Sequence, residues 1–235
     1  MNHAIVLAGG VGSRTGQDVP KQFLCVDNKP IIIHTLENIQ KIQDIDTIVI
    51  SCLEGWEPVV EAYALQFSIT KLVRVVTGGT NRQKSIYNAF QVVKEVAAKG
   101  DTVTVFDANR PIIDEQFMKV GIEKCRKFGV SCGVTPCFDT MFTTDSTGSM
   151  LQEMQNRDLL VHSTGPEIVE FERFNMLLEK YKDSGESLVL CQMCLWEGFP
   201  VPQFRTSNRF IKVTTKEDVE LLKALLHSDK YSWLK

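Results

Sequence analysis

Short apolar runs alternate with longer amphipathic segments along most of this chain, and their two periods separate cleanly. Runs over 3–8, 46–52, 72–76, 102–106 and 130–136 are bounded by turn residues and predict strands. Between them, apolar residues recur three and four positions apart over 30–42, 56–66, 81–99 and 114–128, which predicts helices. Pro30 stands at the first turn of one helix and the turn signal "TGGTN" precedes another. Strand and helix in alternation predict βα units and a mainly parallel α/β sheet. In such sheets the ligand-binding loops gather at the carboxyl ends of the strands.

The alternation breaks over 138–160. Here "FDTMFTTDSTGSMLQEMQNRDLLV" combines Thr-rich alternation with a turn at Gly148 and predicts a hairpin arm. An arm that leaves the body exposes strand edges and apolar faces, so a homodimer joined through the arms is expected. Beyond it the pattern predicts a helix near 168–181, a helix-like segment over 185–196, a strand near 201–205 and a final helix near 215–227 that opens with "TTKED". A length of 235 residues suits one domain spanning 1–235, with the arm at 138–160 inside it.

Composition narrows the partners more than the fold. The chain is 43% hydrophobic and 23% charged, close to globular averages. A net charge of -3 with no basic block excludes a dedicated nucleic-acid binder, whose affinity rests on neutralising phosphates. No apolar run reaches the roughly 18 to 20 residues that cross a bilayer, and no signal-peptide pattern opens the chain, so no membrane and a cytoplasmic location are expected. Seven cysteines, an odd number scattered through apolar segments, fit reduced and buried thiols. Cys191 and Cys194 form a lone CxxC with no second pair, which favours helix-face packing over zinc or redox chemistry.

Four clusters could carry chemistry. In "IVLAGGVGSRTGQDVPKQFL", glycines follow the first strand, with Arg14 and Lys21 in the same loop. Successive N–H groups there could form an anion nest, and fixed cations beside it would stabilise phosphoryl transfer. The spacing is neither GxGxxG nor GxxxxGK[ST], and a bare packing turn is the competing reading. In "TGGTNRQKS", Gly78 and Gly79 precede Arg82 and Ser85, a turn that could hold a flat base or simply join strand to helix. In "VTVFDANRP", Asp107 ends a buried-looking strand, where a carboxylate suits Mg²⁺, or caps the next segment, or pairs with Arg110. In "NRFIKVTTKED", Lys212 lies in a strand-like run between Ile211 and Val213 and faces a cleft or solvent.

The order of these motifs is more specific than any one of them. LAGGxGxR, PKQF, GGxxRxxS, DAxRP, the Asp139-Thr140 pair and IKVT resemble, over residues 3 to 226, the cytidylyltransferases that join CTP to a polyol phosphate. That family includes the 2-C-methyl-erythritol 4-phosphate enzymes of isoprenoid synthesis and the ribitol 5-phosphate enzymes of teichoic-acid and capsule synthesis. The resemblance implies a Rossmann-like, GT-A-like α/β domain with a protruding β-arm, dimerised through the arms, that releases pyrophosphate from CTP with Mg²⁺. It implies Leu7, Ala8, Gly9, Gly10 and Gly12 as the triphosphate cradle, and Arg14, Lys21 and Lys212 as the catalytic cations. Gly78, Gly79, Arg82 and Ser85 would surround the nucleotide, and Asp107 would hold Mg²⁺. Arg110, Thr140 and Arg157 would reach the acceptor, the last of these from the neighbouring subunit.

Several positions depart from that pattern. The family reads HDAARP or HDAVRP where this chain has Phe106 and Asn109 around Asp107. It reads QTPQ where "HSTGPE" inserts Gly165 and ends in Glu167, and an Asp before its NIK falls on Arg209. The segment TDxAS corresponds to "SGES" at 184–187. "PKQFL", "KPIIIHT", "ISCLEGWE", "SIYNA" and "MCLWEG" are closer to the ribitol-phosphate branch, so D-ribitol 5-phosphate or a related capsule precursor is the expected acceptor. The methyl-erythritol phosphate enzyme and a non-catalytic nucleotide-binding dimer are the alternatives.

Overall fold

The computed structural model describes residues 1–10, 19–182, 184 and 188–228. In chain order the elements are β1 (Asn2–Ala8), β2 (Cys25–Val26), β3 (Lys29–Pro30), α1 (Ile31–Lys41), β4 (Thr47–Cys52), α2 (Glu57–Gln66), β5 (Leu72–Thr77) and α3 (Arg82–Val96). Then follow β6 (Thr102–Asp107), α4 (Glu115–Phe128), β7 (Val130–Pro136), β8 (Met141–Thr144), β9 (Leu151–Gln155) and β10 (Val161–Glu170). The chain continues through α5 (Phe171–Tyr181), α6 (Leu190–Trp196), β11 (Gln203–Arg205) and α7 (Lys216–Ser228). Among the described residues, seven strands form the central sheet in the order β11-β7-β10-β6-β1-β4-β5.

Strand alternation explains the layers. On β1, Ala4, Val6 and Ala8 face one core while Ile5 faces the other; on β4, Ile48 and Ile50 oppose Val49, and on β6, Phe106 opposes Val103 and Val105. The first face is covered by Ile32, Ile33, Leu36 and Ile39 of α1 with Phe117, Met118 and Ile122 of α4. The second is covered by Ile86, Phe90 and Val93 of α3 with Phe174, Leu177 and Leu178 of α5. Phe106, which stands where the family motif has histidine, is 2% exposed and belongs wholly to the first core.

Parallel pairing of β1 with β4 and β6, and of β4 with β5, places Ala8, Cys52, Thr77 and Asp107 at one rim. Leu7 lies opposite Asp107, and Ala8 opposite Cys52. The loops that carry three of the four motif clusters therefore meet as a direct result of the sheet's register.

Two expectations are corrected here. The helix expected over 168–181 begins at Phe171, because 161–170 form β10, an antiparallel strand between β6 and β7. The register shifts between Ser163 and Glu167, around Gly165. The run around Lys212 forms no strand: residues 211–214 are irregular. The expected hairpin is present, with β8 and β9 paired antiparallel as a separate two-stranded sheet. Cys191 and Cys194 lie buried on α6, as packing residues would. Among the described residues no helix is long and apolar enough to cross a membrane.

At the shifted register, β7 and β10 approach so closely that a Cβ on Gly133 would lie 2.2 Å from the Gly165 carbonyl oxygen. The obstacle is the Gly165 backbone, which cannot swing aside as a side chain can. Gly133→Ala should therefore lower stability by about 1–3 kcal/mol, the usual cost of overpacking, read as a drop in the denaturation midpoint.

Candidate functional site

The rim loops enclose a cleft of about 270 Å³ lined by Leu7, Ala8, Gly9, Gly10, Lys21, Gln22, Gly79, Thr80, Asn81, Arg82, Ser85, Asp107, Ala108, Asn109 and Lys212. Most of the residues expected to bind nucleotide are thus brought together. Gly78 lies just behind the wall, its N–H donating to the Cys52 carbonyl at 2.6 Å. Gly12 and Arg14 lie outside the described residues.

Each wall is fixed by its own local chemistry. Lys21 opens a single turn of 3-10 helix over Lys21–Phe23. The buried Gln22 amide donates to the Ala8 carbonyl at 2.6 Å, and the Phe23 ring stacks on Trp56 with centroids 4.1 Å apart. These two contacts tie the turn to the end of β1 and to the start of α2, and they present Lys21 beside Gly10. Opposite, Asn81 caps α3 by accepting from the Lys84 N–H at 2.8 Å. Ser85 Oγ accepts from the Gly79 N–H at 3.0 Å and donates to the Asn81 carbonyl at 2.9 Å. Ser85 therefore shapes the glycine turn from within. A Cβ on Gly79 would meet the Lys84 side chain at 2.3 Å, so the turn needs glycine there.

Asp107 is the electrostatic centre. Its Oδ1 accepts from Arg82 Nη1 at 2.8 Å, and its Oδ2 accepts from Lys212 Nζ at 2.8 Å. Arg110 Nε lies 3.6 Å from the same Oδ2. Burial opposes ionisation of Asp107, but Arg82, Lys212 and Arg110 outweigh it and hold the carboxyl well below the usual carboxylate range. Arg82 also faces the buried Glu167 at 3.7 Å. Burial works against the Arg82 charge, yet Asp107 and Glu167 together raise its pKa. Glu167 accepts in addition from the Cys191 N–H at 2.8 Å. The pairing of Asp107 with Arg110, one of the alternatives the sequence left open, is therefore present, and two further cations join it.

A second cavity of about 220 Å³ adjoins the first and shares Arg82, Asp107 and Lys212 with it. Arg110, Ser163, Thr164, Glu167 and Phe210 line it. Arg110 is turned partly to structure: its Nη1 donates to the Phe210 carbonyl at 2.9 Å, and its guanidinium lies 5.0 Å from the Phe210 ring centre. Thr140 and Arg157 do not reach either cavity within the chain. Thr140 is exposed before β8, and Arg157 donates to the Phe138 carbonyl at 2.7 Å in a separate groove with Lys124 and Arg205.

The sequence gives no role to Gln22 or Asn81, and shows Asn109 and Glu167 only as departures from the motifs. Asn81 carried a signal, an Asx residue directly before a helical period. The others act through contacts with segments up to about a hundred positions away, which no local pattern shows.

The model of the family described as "IspD: 2-C-methyl-D-erythritol 4-phosphate cytidylyltransferase" matches residues 2–228. The chain belongs to this family. A protein of Lacticaseibacillus paracasei named ribitol-5-phosphate cytidylyltransferase is 33% identical over 227 residues, 95% of this chain and 97% of that one. One of Clostridium botulinum named 2-C-methyl-D-erythritol 4-phosphate cytidylyltransferase is 31% identical over 96% of this chain and 97% of its own. The solved structure of 4-diphosphocytidyl-2C-methyl-D-erythritol synthase from Anaerococcus prevotii shares the fold, with a TM-score of 0.81 at 23% identity over 96% of both chains. The protein is accordingly a nucleotidyltransferase of the cytidylyltransferase family.

Because Asp107 is ionised down to strongly acid pH, its ion pairs persist throughout the range above the ordinary carboxylate pKa and disappear only well below it. Asp107→Asn should lower turnover by about 100-fold, the scale for losing one electrostatic group in a site. The loss should be constant between pH 5 and 9, so the pH–rate profile keeps its shape and shifts only in height.

Proposed function

We propose that this cytidylyltransferase transfers CMP from CTP to a polyol phosphate and releases pyrophosphate, with D-ribitol 5-phosphate or a related capsule or teichoic-acid precursor as acceptor. The observation that carries the reading is the single cleft in which Gly9, Gly10 and Lys21 face Asp107 and Lys212. Bare backbone at the end of β1 suits a triphosphate, and the glycine turn around Gly79 and Ser85 suits a base. An oxygen of the acceptor phosphate attacks the α-phosphorus in line. The new P–O bond replaces the bond to pyrophosphate, and Lys21 and Lys212 stabilise the charge that develops. Arg14 belongs to the same reading through its place in the motif.

The donor set fits Mg²⁺. Among the described residues no group of three or more His, Cys, Asp or Glu could hold a metal alone. Asp107 offers one carboxylate held ionised well below the usual carboxylate range at the cleft, which matches a cation bound by one or two carboxylates and the substrate phosphates. Bound there, Mg²⁺ would supply charge neutralisation at the phosphates. The residues Arg82 and Lys212 would then exchange Asp107 for phosphate oxygens.

The acceptor falls to the adjoining cavity, where Ser163, Thr164 and Glu167 offer groups that hydrogen-bond hydroxyls. The Lacticaseibacillus relative supports ribitol 5-phosphate. The matched family description and the Clostridium relative support 2-C-methyl-D-erythritol 4-phosphate as the second reading. CTP with Mg²⁺ and, in turn, ribitol 5-phosphate, methyl-erythritol phosphate, erythritol phosphate and glycerol phosphate should release pyrophosphate fastest with ribitol 5-phosphate. Lys21→Ala should lower kcat more than it raises the KM for CTP. Pyrophosphate release with none of the four would refute the reading.

The arm supports a homodimer. Met150, Leu151, Met154 and Leu159 are each more than 60% exposed, an apolar surface that asks for cover. Thr140 and Arg157, remote from their own cleft, would then serve the neighbouring one. Paired replacement Leu151→Glu with Met154→Glu should convert a dimer to a monomer in sedimentation velocity and lower turnover with it. A wild-type monomer at micromolar concentration would contradict the arrangement.

A further inference from the structure

Lys212 reaches Asp107 from a segment without secondary structure, and its side chain is 42% exposed. A long ammonium side chain on an irregular segment holds its place only if the backbone beneath it is anchored. Two anchors flank it. After Lys212, the buried Asn109 donates from Nδ2 to the Val213 carbonyl at 2.6 Å, while the Val213 N–H donates to the Asn109 carbonyl at 2.9 Å. Before Lys212, Arg110 holds the Phe210 carbonyl. Farther along, Asp218 Oδ2 accepts from the backbone of Thr214 and Thr215 at 2.7 and 2.8 Å.

Asn109 differs from the other anchors in two respects. It is uncharged, so it adds nothing to the field at Asp107. It is 5% exposed, so water cannot replace its donor. The residue Val213, fully buried, is thus tied by two bonds to the loop that bears Asp107, and Lys212 is the next residue along.

We propose that Asn109 is a positioning residue for Lys212: its two-bond bridge to Val213 fixes the backbone from which the ammonium reaches Asp107 and, in turn, the substrate phosphates. The last clause rests on the phosphate-cation reading of Lys212 above. The geometric part does not.

Two measurements separate them. Without substrate, the wild type, Asn109→Ala and Asn109→Leu are treated with an acetyl N-hydroxysuccinimide ester, and acetylation of Lys212 is followed by mass spectrometry. Loosening the bridge should raise the Lys212 rate about three- to tenfold at unchanged rates for Lys94 and Lys223, since a freed ammonium is no longer held at the carboxylate. Asn109→Leu keeps about the size and loses the donor without adding charge, which covers the case in which the alanine variant fails to fold. An unchanged Lys212 rate in a folded variant overturns the proposal.

With CTP, Mg²⁺ and the acceptor that turns over, Asn109→Ala should lower kcat about tenfold, and the double variant with Lys212→Met should be no slower than Lys212→Met alone. Additive losses would mean that Asn109 acts elsewhere and overturn it. Wild-type turnover by Lys212→Met would instead refute the catalytic reading of the lysine and leave the labelling result standing.

Discussion

One carboxylate organises this cleft. Asp107 is gripped by Arg82 from the start of α3, by Lys212 from an irregular segment a hundred residues later, and more loosely by Arg110 from its own loop. A half-buried carboxylate without these partners would be costly, and the cations without it would repel one another across a few ångströms. The β-sheet supplies the constraint that makes the grouping possible. Because β6 pairs with β1 in parallel register, Asp107 lies beside Leu7 and next to the glycine loop. The position of the carboxylate relative to the glycines is therefore a property of the sheet, and the positions of the cations follow from the carboxylate.

Three of the departures from the family motifs bear on this grouping, and a fourth, Phe106, does not. Phe106 faces away from the cleft into the core, so its exchange for histidine alters packing beneath Asp107 and adds no polar group to the site. Asn109 ties the Lys212 segment down. Arg209, in the place of an acidic residue, donates from Nη2 to the Leu225 carbonyl at 2.9 Å near the end of α7 and so secures the same segment from the other side. Glu167 balances Arg82 from behind. Three of the four changes bear on residues that hold Lys212 or Arg82, which is where compensation is expected if the segment lacks a strand ladder.

How much of this was legible in the sequence depended on the range of the forces involved. The strands of the parallel part and the helices over them were readable, because alternation and the 3.6 period are local consequences of burial on two faces. The strand β10 was not. Its polar first half, His162 to Thr164, and the Gly165-Pro166 step hide the alternation, and its pairing partners β6 and β7 are what make it a strand. Around Lys212 the error ran the other way: Ile-Lys-Val alternates like a strand, but Val213 is buried against α7 and the Asn109 loop instead of a sheet. In the site, the glycine loops, Lys21, Asp107 and Lys212 were named from motif order. That Arg82 binds Asp107 and Glu167 was invisible, because charge partners distant in sequence leave no periodic trace.

Charge balance gives the grouping its chemical direction. Among the described residues at the cleft, Arg82, Arg110 and Lys212 stand against Asp107 and Glu167, which leaves one positive charge among these five, and Lys21 lines the same cleft. Such a site is close to compensated before any ligand arrives, so it is no open sink for anions. A triphosphate carries far more negative charge than this surplus can meet. On the proposed reading it must draw Arg82 and Lys212 away from Asp107, and the carboxylate so released needs a cation in exchange. On that reading Asp107 would be the residue to hold a divalent cation, which would supply charge neutralisation there. The ion pairs seen here are then the arrangement that keeps three cations and one carboxylate together in a low-dielectric cleft until substrate redistributes them.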